Sequence, residues 1–250
     1  MNRELEGRVA LVTGGAKNIG RAIALALAEG GAKVMATALA NREGIDETAA
    51  LIRAAGGEAE SVLADVTSEE SVAALIAQTV KRFGRLDILV NNAAIRTEVP
   101  FRDLTLAEFR KVTGVALEGP FLCTSAALPA LEKSDGATII NIGGLTAYTG
   151  AKDRVHVISA KAGLDGMTKA LAHDLAPAGV TVNLVSPGMI ATERGGHSRQ
   201  EPEHHKRHTT LTGRRGAPEE VAAMVRFLAG PGARYLTGQT FHVNGGAYLP

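Results

Sequence analysis

Short apolar runs of strand length alternate with stretches of helical periodicity along almost the whole chain, and that alternation restricts what it can become. Residues 9–12 are apolar and partly β-branched, and Gly14 and Gly15 follow at once, as at a buried strand that ends in a tight turn. Residues 19–27 carry apolar side chains at helical spacing and end at Gly30 and Gly31, and 33–37 reads as the next strand. Two parallel strands need a crossover of a dozen or more residues between them, and a helix fills it here. The unit recurs as strand 61–63, helix 72–83 and strand 88–90, then as helix 109–131, strand 138–142, helix 161–175 and strand 181–185. Helix 219–228 and strand 240–243 close the pattern. The expectation is an α/β fold: a doubly wound parallel sheet of about seven strands with helices on both faces. Ligands of such sheets sit beyond the carboxyl ends of the strands.

No linker rich in Pro, Gly and Ser divides the 250 residues, so residues 1–250 read as a single domain. Residues 187–216 break the rhythm, with no periodic element and with Arg194, Arg199, Lys206, Arg207, Arg214 and Arg215. His197, His204, His205 and His208 lie there too. A long loop in a compact domain is usually functional, so 187–216 reads as a lid over a substrate site, and its charge suggests an anionic substrate. His204 and His208 stand at i, i+4 spacing, but no third ligand accompanies them, so no metal is expected. With 27 basic against 26 acidic residues, the chain lacks the concentrated basic field that nucleic-acid binding requires. The first eight residues are charged and no apolar run approaches membrane-spanning length, so neither a signal peptide nor a membrane partner is expected. A lone Cys123 fits a reducing compartment, which makes the cytoplasm the expected location.

After the first strand comes Thr13-Gly14-Gly15-Ala16-Lys17-Asn18-Ile19-Gly20. Glycines at such a turn let the backbone approach a pyrophosphate seated on a helix N-terminus. Asn18 stands where a middle glycine is usual, and Asn tolerates positive φ better than most residues. Further along come Asp65-Val66, Asn91-Asn92-Ala93-Ala94, Ser186-Pro187-Gly188 with Thr192, Tyr235-Leu236-Thr237-Gly238-Gln239 and Val243-Asn244-Gly245-Gly246. In this order the motifs resemble the short-chain dehydrogenase/reductase family, most closely its 3-oxoacyl-carrier-protein reductase branch. The resemblance implies that Gly14, Asn18, Ile19 and Gly20 cradle a dinucleotide while Asp65 and Val66 hold its adenine. It further implies that Asn91 supports the adenosine side, Lys161 binds the nicotinamide ribose and Thr192 contacts the carboxamide. Ala93, Pro187 and Gly188 belong to the same cofactor set. Relatives commonly form tetramers, so a homotetramer is expected.

An acidic residue at the end of the second strand would accept hydrogen bonds from the ribose of NAD. That strand runs into Thr37-Ala38-Leu39-Ala40, with no carboxylate before Glu43. Lys17 matches the basic residue that meets a 2′-phosphate in relatives, with Asn41 and Arg42 nearby, so NADP(H) is the expected cofactor.

Family members reduce carbonyls with an Asn, a Ser, a Tyr and a Lys, and Lys161 takes the Lys position of that set. The resemblance puts Val157 where the Tyr belongs, Gly144 where the Ser belongs and Ala116 where the Asn belongs. Tyr148 and Lys152 match a Tyr-x-x-x-Lys pattern by letters, but Gly150 lies between them and the pair precedes the helix. A substitute proton source is sought among Tyr148, then Thr146, then His156, with Lys161, Tyr148 and Thr146 as the candidate catalytic set. The leading expectation is an NADP(H)-dependent oxidoreductase acting on a carbonyl or imine small molecule. A noncatalytic NADP(H)-binding protein, sensor or partner subunit, and a non-redox enzyme on the same fold stay open beside it.

Overall fold

The computed structural model describes residues 3–193 and 210–250. Seven strands form one parallel sheet: β1 (Val9–Thr13), β2 (Lys33–Ala38), β3 (Ala59–Leu63), β4 (Ile88–Asn91), β5 (Thr138–Ile142), β6 (Thr181–Pro187) and β7 (Thr240–Val243). They lie in the order β3-β2-β1-β4-β5-β6-β7. The order reverses between β1 and β4, so the crossovers on either side of that point cover opposite faces and leave a crevice between them.

Helices α1 (Asn18–Glu29), α2 (Arg42–Ala54) and α8 (Pro218–Ala229) cover one face, where Ile23, Leu27, Ile52, Val225 and Leu228 form a core with Ala10 and Val12. Helices α3 (Glu69–Phe83), α5 (Gly119–Leu131) and α7 (Val155–Leu175) cover the other, where Leu75, Leu131 and Leu175 meet Val9 and Leu11. Successive side chains of β1 therefore enter opposite cores, which is why that strand is a continuous apolar run instead of an alternating one. Each such Leu, Ile or Val contributes about 1.5–3 kcal/mol on burial. At the amino-terminal edge Asp87 is fully buried and accepts from the Val9 N–H at 2.8 Å and from Arg85 Nη2 at 2.6 Å, fastening β4 to β1. Burial pushes its carboxyl up, but the donors of Arg85, Ser134 and Val9 outweigh burial and hold it below the usual carboxylate value.

Four features depart from the sequence expectation. Helix α2 is unassigned there; its buried side is small, with Ile45, Ala49 and Ile52 among polar residues, and its cap is Asn41, whose Oδ1 accepts from the Gly44 N–H at 3.0 Å. The run expected as one helix over 109–131 starts at α4 (Leu106–Thr113) and passes through a π turn at Gly114–Glu118 before α5. Taken together, Leu106–Leu131 is long and apolar enough to cross a bilayer by length and composition, contrary to the reading that no such run exists. One side of it serves the core, since Cys123, Ala127 and Leu131 are buried against α3 and the sheet, while Leu106 and Phe121 are exposed. Helix α7 begins at Val155, six residues before the expected start. Of the lid expected over 187–216, residues 194–209 lie outside the described residues, and with them Arg194, Arg199, Lys206, Arg207 and the four lid histidines. Arg214 is described and pairs with Glu220 at 2.7 Å.

Candidate active site

A cleft of about 460 Å³ opens beyond the carboxyl ends of β1, β4, β5 and β6. The glycine loop forms one wall. Gly14 has φ +67°, and a Cβ there would lie 3.0 Å from Ala93 Cα. A Cβ on Gly20 would collide with the Gly14 carbonyl oxygen and lie 2.6 Å from Asn92 Nδ2, so only glycine lets α1 start this close to β1. Asn18 has φ 51°, the left-handed conformation that its side-chain amide tolerates. That amide also donates to the Glu193 carbonyl and accepts from the Glu193 N–H, both at 2.9 Å, tying the loop to the segment after β6. Lys17 is exposed at the cleft edge.

Lys161 forms the floor. It is 8% exposed, and its Nζ donates to the Ile142 carbonyl at 2.5 Å. Desolvation is the main reason its pKa falls to about 8, and the charge of Arg96 adds to the shift. Val157 lies one helical turn earlier on the same face of α7, 3% exposed, and also lines the cleft. Gly144 and Thr146 line it from the loop after β5, with open space around the position a Gly144 side chain would take. Ala93, Pro187, Gly188, Ile19 and Thr192 line the same cleft. Ala116, by contrast, is buried inside the π turn and does not face the cleft.

Tyr148 is a correction. One turn of helix, α6 (Thr146–Thr149), turns side chains two residues apart to nearly opposite sides, so Thr146 faces the cleft while Tyr148 faces away. Its hydroxyl donates to Asp165 Oδ1 at 2.9 Å, and its ring packs on His242 at 4.7 Å and on Tyr248 at 5.5 Å between centroids. Burial raises its pKa to about 12, and hydrogen bonding to the Asp165 carboxylate reinforces the neutral form. It cannot hand a proton into the cleft from there. His156 is also displaced: it is fully buried, with Nε2 2.8 Å from Thr97 Oγ1. The letter match Tyr148 to Lys152 is broken by Gly150 at φ +72°.

Three residues of the expected cofactor set lie off the cleft. Asn91 is buried and donates to Asn141 Oδ1 at 2.9 Å, and Asn141 donates to Thr168, so Asn91 braces β4, β5 and α7. Its neighbour Asn92 faces the cleft instead, donating to the Thr13 and Gly14 carbonyls at 2.9 and 3.0 Å. The pleat supplies the reason: consecutive strand residues point to opposite faces. Asp65 accepts from the Thr67 N–H and hydroxyl, and Val66 packs where a Cβ on Gly119 would meet it at 2.9 Å. The cleft also contains residues sequence reasoning missed: Asn92, Arg96, Glu98 and Arg154. A charged residue two positions after the Asn-Asn-Ala-Ala motif was the available signal for Arg96, and Arg154, three positions before Val157, was the signal on α7. Among the described residues no group of three His, Cys, Asp or Glu stands together as metal ligands do.

The sequence profile described as Enoyl-(Acyl carrier protein) reductase matches residues 14–248. The chain is 42% identical over 246 residues to a 3-oxoacyl-[acyl-carrier-protein] reductase of Synechocystis sp., covering 98% of each chain. It is 38% identical to the Vibrio cholerae 3-oxoacyl-[acyl-carrier-protein] reductase FabG, covering 98% of this chain and 99% of that one. Among solved structures, a dehydrogenase/reductase from Sinorhizobium meliloti superposes with a TM-score of 0.92 at 37% identity, over 99% of this chain and 98% of the other. A short chain dehydrogenase from Burkholderia cenocepacia in complex with NADP superposes with a TM-score of 0.91 at 33% identity, over 98% and 99%.

Proposed function

From the premise that this chain belongs to the short-chain dehydrogenase/reductase family, we propose that it is an NADP(H)-dependent oxidoreductase that reduces a carbonyl or imine on a small molecule. One observation carries the reading: the glycine loop and the Lys161 ammonium face a single cleft at the point where the strand order reverses. The walls fit a dinucleotide. Lys17, Asn18 and Ile19 present the start of α1, whose backbone N–H groups favour an anion, and the Gly14–Gly20 contact leaves no side chain in the way. The choice of NADP(H) rests on the exposed Lys17 and on a second strand that ends at Ala38 and Leu39 without a carboxylate. Asn41 is engaged as the α2 cap and Arg42 reaches Asp46 at 3.5 Å, so Lys17 is the better placed cation for a 2′-phosphate.

When bound, NADPH supplies a hydride to the carbonyl or imine carbon. The electron pair of the double bond then moves to the substrate heteroatom, which needs a proton. With Val157 and Gly144 offering none, Lys161 is the titratable group of the α7 wall in position to give one, and a pKa of about 8 suits it to that task near neutral pH. Water then restores its proton. Thr146 orients the heteroatom from the opposite wall. Gly144 and Val157, which the resemblance puts where the family has its Ser and Tyr, favour a second reading, a binding protein that holds NADP(H) without turnover. We extend the proposal to a homo-oligomer in the cytoplasm, with a tetramer expected; exposed Leu106 and Phe121 on one helical run support a contact between copies.

Fluorescence titration with NADPH and NADH tests the binding, and NADPH oxidation with carbonyl and imine panels tests the chemistry. Micromolar NADPH binding that is about tenfold or more tighter than NADH, and that is lost in Lys17→Glu, is the expected result. Absence of binding by either nucleotide refutes the whole reading, and binding without turnover of any compound favours the second one.

A further inference from the structure

Among the described residues the cleft is lined by four basic side chains, Lys17, Arg96, Arg154 and Lys161, and two acidic ones, Glu98 and Glu193. Lys17 and Glu193 stand together at the glycine-loop end, where the Glu193 backbone is clasped by Asn18. The other four surround the floor, so the imbalance at the reacting end comes from Arg96, Arg154 and Lys161 facing Glu98. Arg154 is 8% exposed, an uncommon position for a guanidinium, and it lies at the start of α7 one turn before Val157 and two turns before Lys161. Arg96 comes from the loop after β4, which meets the start of α7 through Thr97 Oγ1 and His156 Nε2 at 2.8 Å and through the Val99 N–H to the Asp153 carbonyl at 2.8 Å, and its charge is felt at Lys161. The wall positions between these cations are Val157 and Gly144, which offer a substrate no hydrogen bond from a side chain. Beside the Thr146 hydroxyl, the recognition that remains at this end is positive charge.

We propose that Arg154 and Arg96 form an anion subsite beside Lys161, and that the substrate carries its own carboxylate, or a phosphate, within a few bonds of the carbonyl to be reduced. A planar guanidinium grips such groups through paired hydrogen bonds, which fixes the carbonyl toward Lys161 and Thr146. A thioester, the substrate type in the names of the two curated relatives, has no charge near its reacting carbonyl and gains nothing from these arginines. The inference rests on the oxidoreductase reading above for its chemistry, but the anion subsite can be tested apart from it.

The test uses full-length protein with NADPH and matched panels: 2- and 3-oxo acids, their methyl esters, and phosphorylated ketones. Wild-type kcat/KM is expected to favour an anion over its neutral partner by about 10²-fold, and Arg154→Met to collapse that ratio by a similar factor, with Arg154→Lys restoring part of it. Carboxylates preferred over phosphates identify an oxo acid; the reverse identifies a keto phosphate. Arg96→Met, at an exposed position, provides the same ratio should Arg154→Met fail to fold. Equal rates for acid and ester in the wild type, or an unchanged ratio in both variants, overturn the proposal while leaving the oxidoreductase reading standing. If no compound is reduced, calorimetric binding of the same acids and esters to the NADP-loaded protein decides the subsite alone. Binding of acid over ester that depends on Arg154 supports it, and binding without that dependence, or none, overturns it.

Discussion

Replacing Lys161 with Met separates the stability of the fold from the chemistry of the cleft. Burial, aided by the charge of Arg96, lowers Lys161 from the usual lysine value of 10.5 to about 8. The folded value lies below the unfolded one, so the unfolded chain binds more protons between pH 8 and 10.5, and stability rises with pH across that window. Below pH 8 the folded protein carries the full cost of a buried ammonium, about 3 kcal/mol at about 1.4 kcal/mol per pH unit. The Met variant escapes that cost but leaves the Ile142 carbonyl without its 2.5 Å donor, a loss of about 1–3 kcal/mol. The variant is therefore expected to be as stable as the wild type at pH 7, or more stable by up to about 2 kcal/mol. Between pH 7 and pH 10 the wild type should gain about 2–3 kcal/mol on it. Urea denaturation of both proteins at pH 7, 8, 9 and 10, at one protein concentration and without nucleotide, reads this difference directly. Other titrating groups are common to both chains and cancel. Stability curves that run parallel across the whole range would show an ordinary lysine and remove the reason for giving Lys161 the proton. In the same preparations NADPH oxidation should fall about 10²-fold or more in the variant, and in the wild type it should decline as pH rises through 8.

Gly20→Ala places a methyl group against the Gly14 carbonyl and 2.6 Å from Asn92 Nδ2. It should weaken NADPH binding by about 10²-fold and cost about 1–3 kcal/mol of stability; binding within threefold of wild type would contradict the cradle. Tyr148→Phe should keep NADPH oxidation within about threefold and lower stability by about 1 kcal/mol, because Asp165 retains Thr240 and Lys169 as donors. A loss of about 10²-fold in kcat would return Tyr148 to the proton path. Asp87→Asn should cost about 1–3 kcal/mol at pH 7, because the neutral amide loses the charged hydrogen bonds that Arg85 and Arg8 donate to the carboxylate. Since the Asp87 pKa is lowered by folding, its contribution is present above the unfolded value near 3.8 and lost as pH falls through the folded one. The variant's acid unfolding should therefore be shallower below pH 4, and equal slopes in a circular-dichroism titration would refute the assignment.

The sheet was legible because its strands are buried on both faces and so appear as short, uninterrupted apolar runs; all seven lie within a few residues of their expected bounds. Helix α2 escaped because its contact with the sheet needs only Ile45, Ala49 and Ile52, a weak apolar signal inside a polar segment. The glycine loop was legible for a different reason. Its requirements are set by the backbone, a positive φ at Gly14 and Asn18 and a contact at Gly20 that excludes any side chain, and few residue types satisfy them. Side-chain direction was the harder part. Asn91 and Asn92 are adjacent letters on opposite faces of a strand end, and Thr146 and Tyr148 are two letters apart on opposite sides of a single helical turn. Neither phase can be read without knowing where the strand stops and where the turn begins.

That difference explains how the two halves of the site can diverge in one chain. The dinucleotide end is held by main-chain geometry, and a substitution there meets the Gly14 carbonyl or Ala93 backbone, which cannot yield. The reacting end is held by side chains on a wall with room to spare: a Cβ on Gly144 would meet nothing within 4 Å, and Val157 fills its place by apolar packing alone. Exchanging those side chains alters the chemistry at little cost to the fold. Lys161 alone belongs to both halves, because its ammonium is held by the Ile142 carbonyl at the end of β5 and projects into the floor of the cleft. Without a phenol one turn away, desolvation with the added charge of Arg96 holds Lys161 itself at about 8. A wall that offers Val157 and Gly144 beside the cations Arg96, Arg154 and Lys161 should, on the anion-subsite proposal, select substrates by charge first.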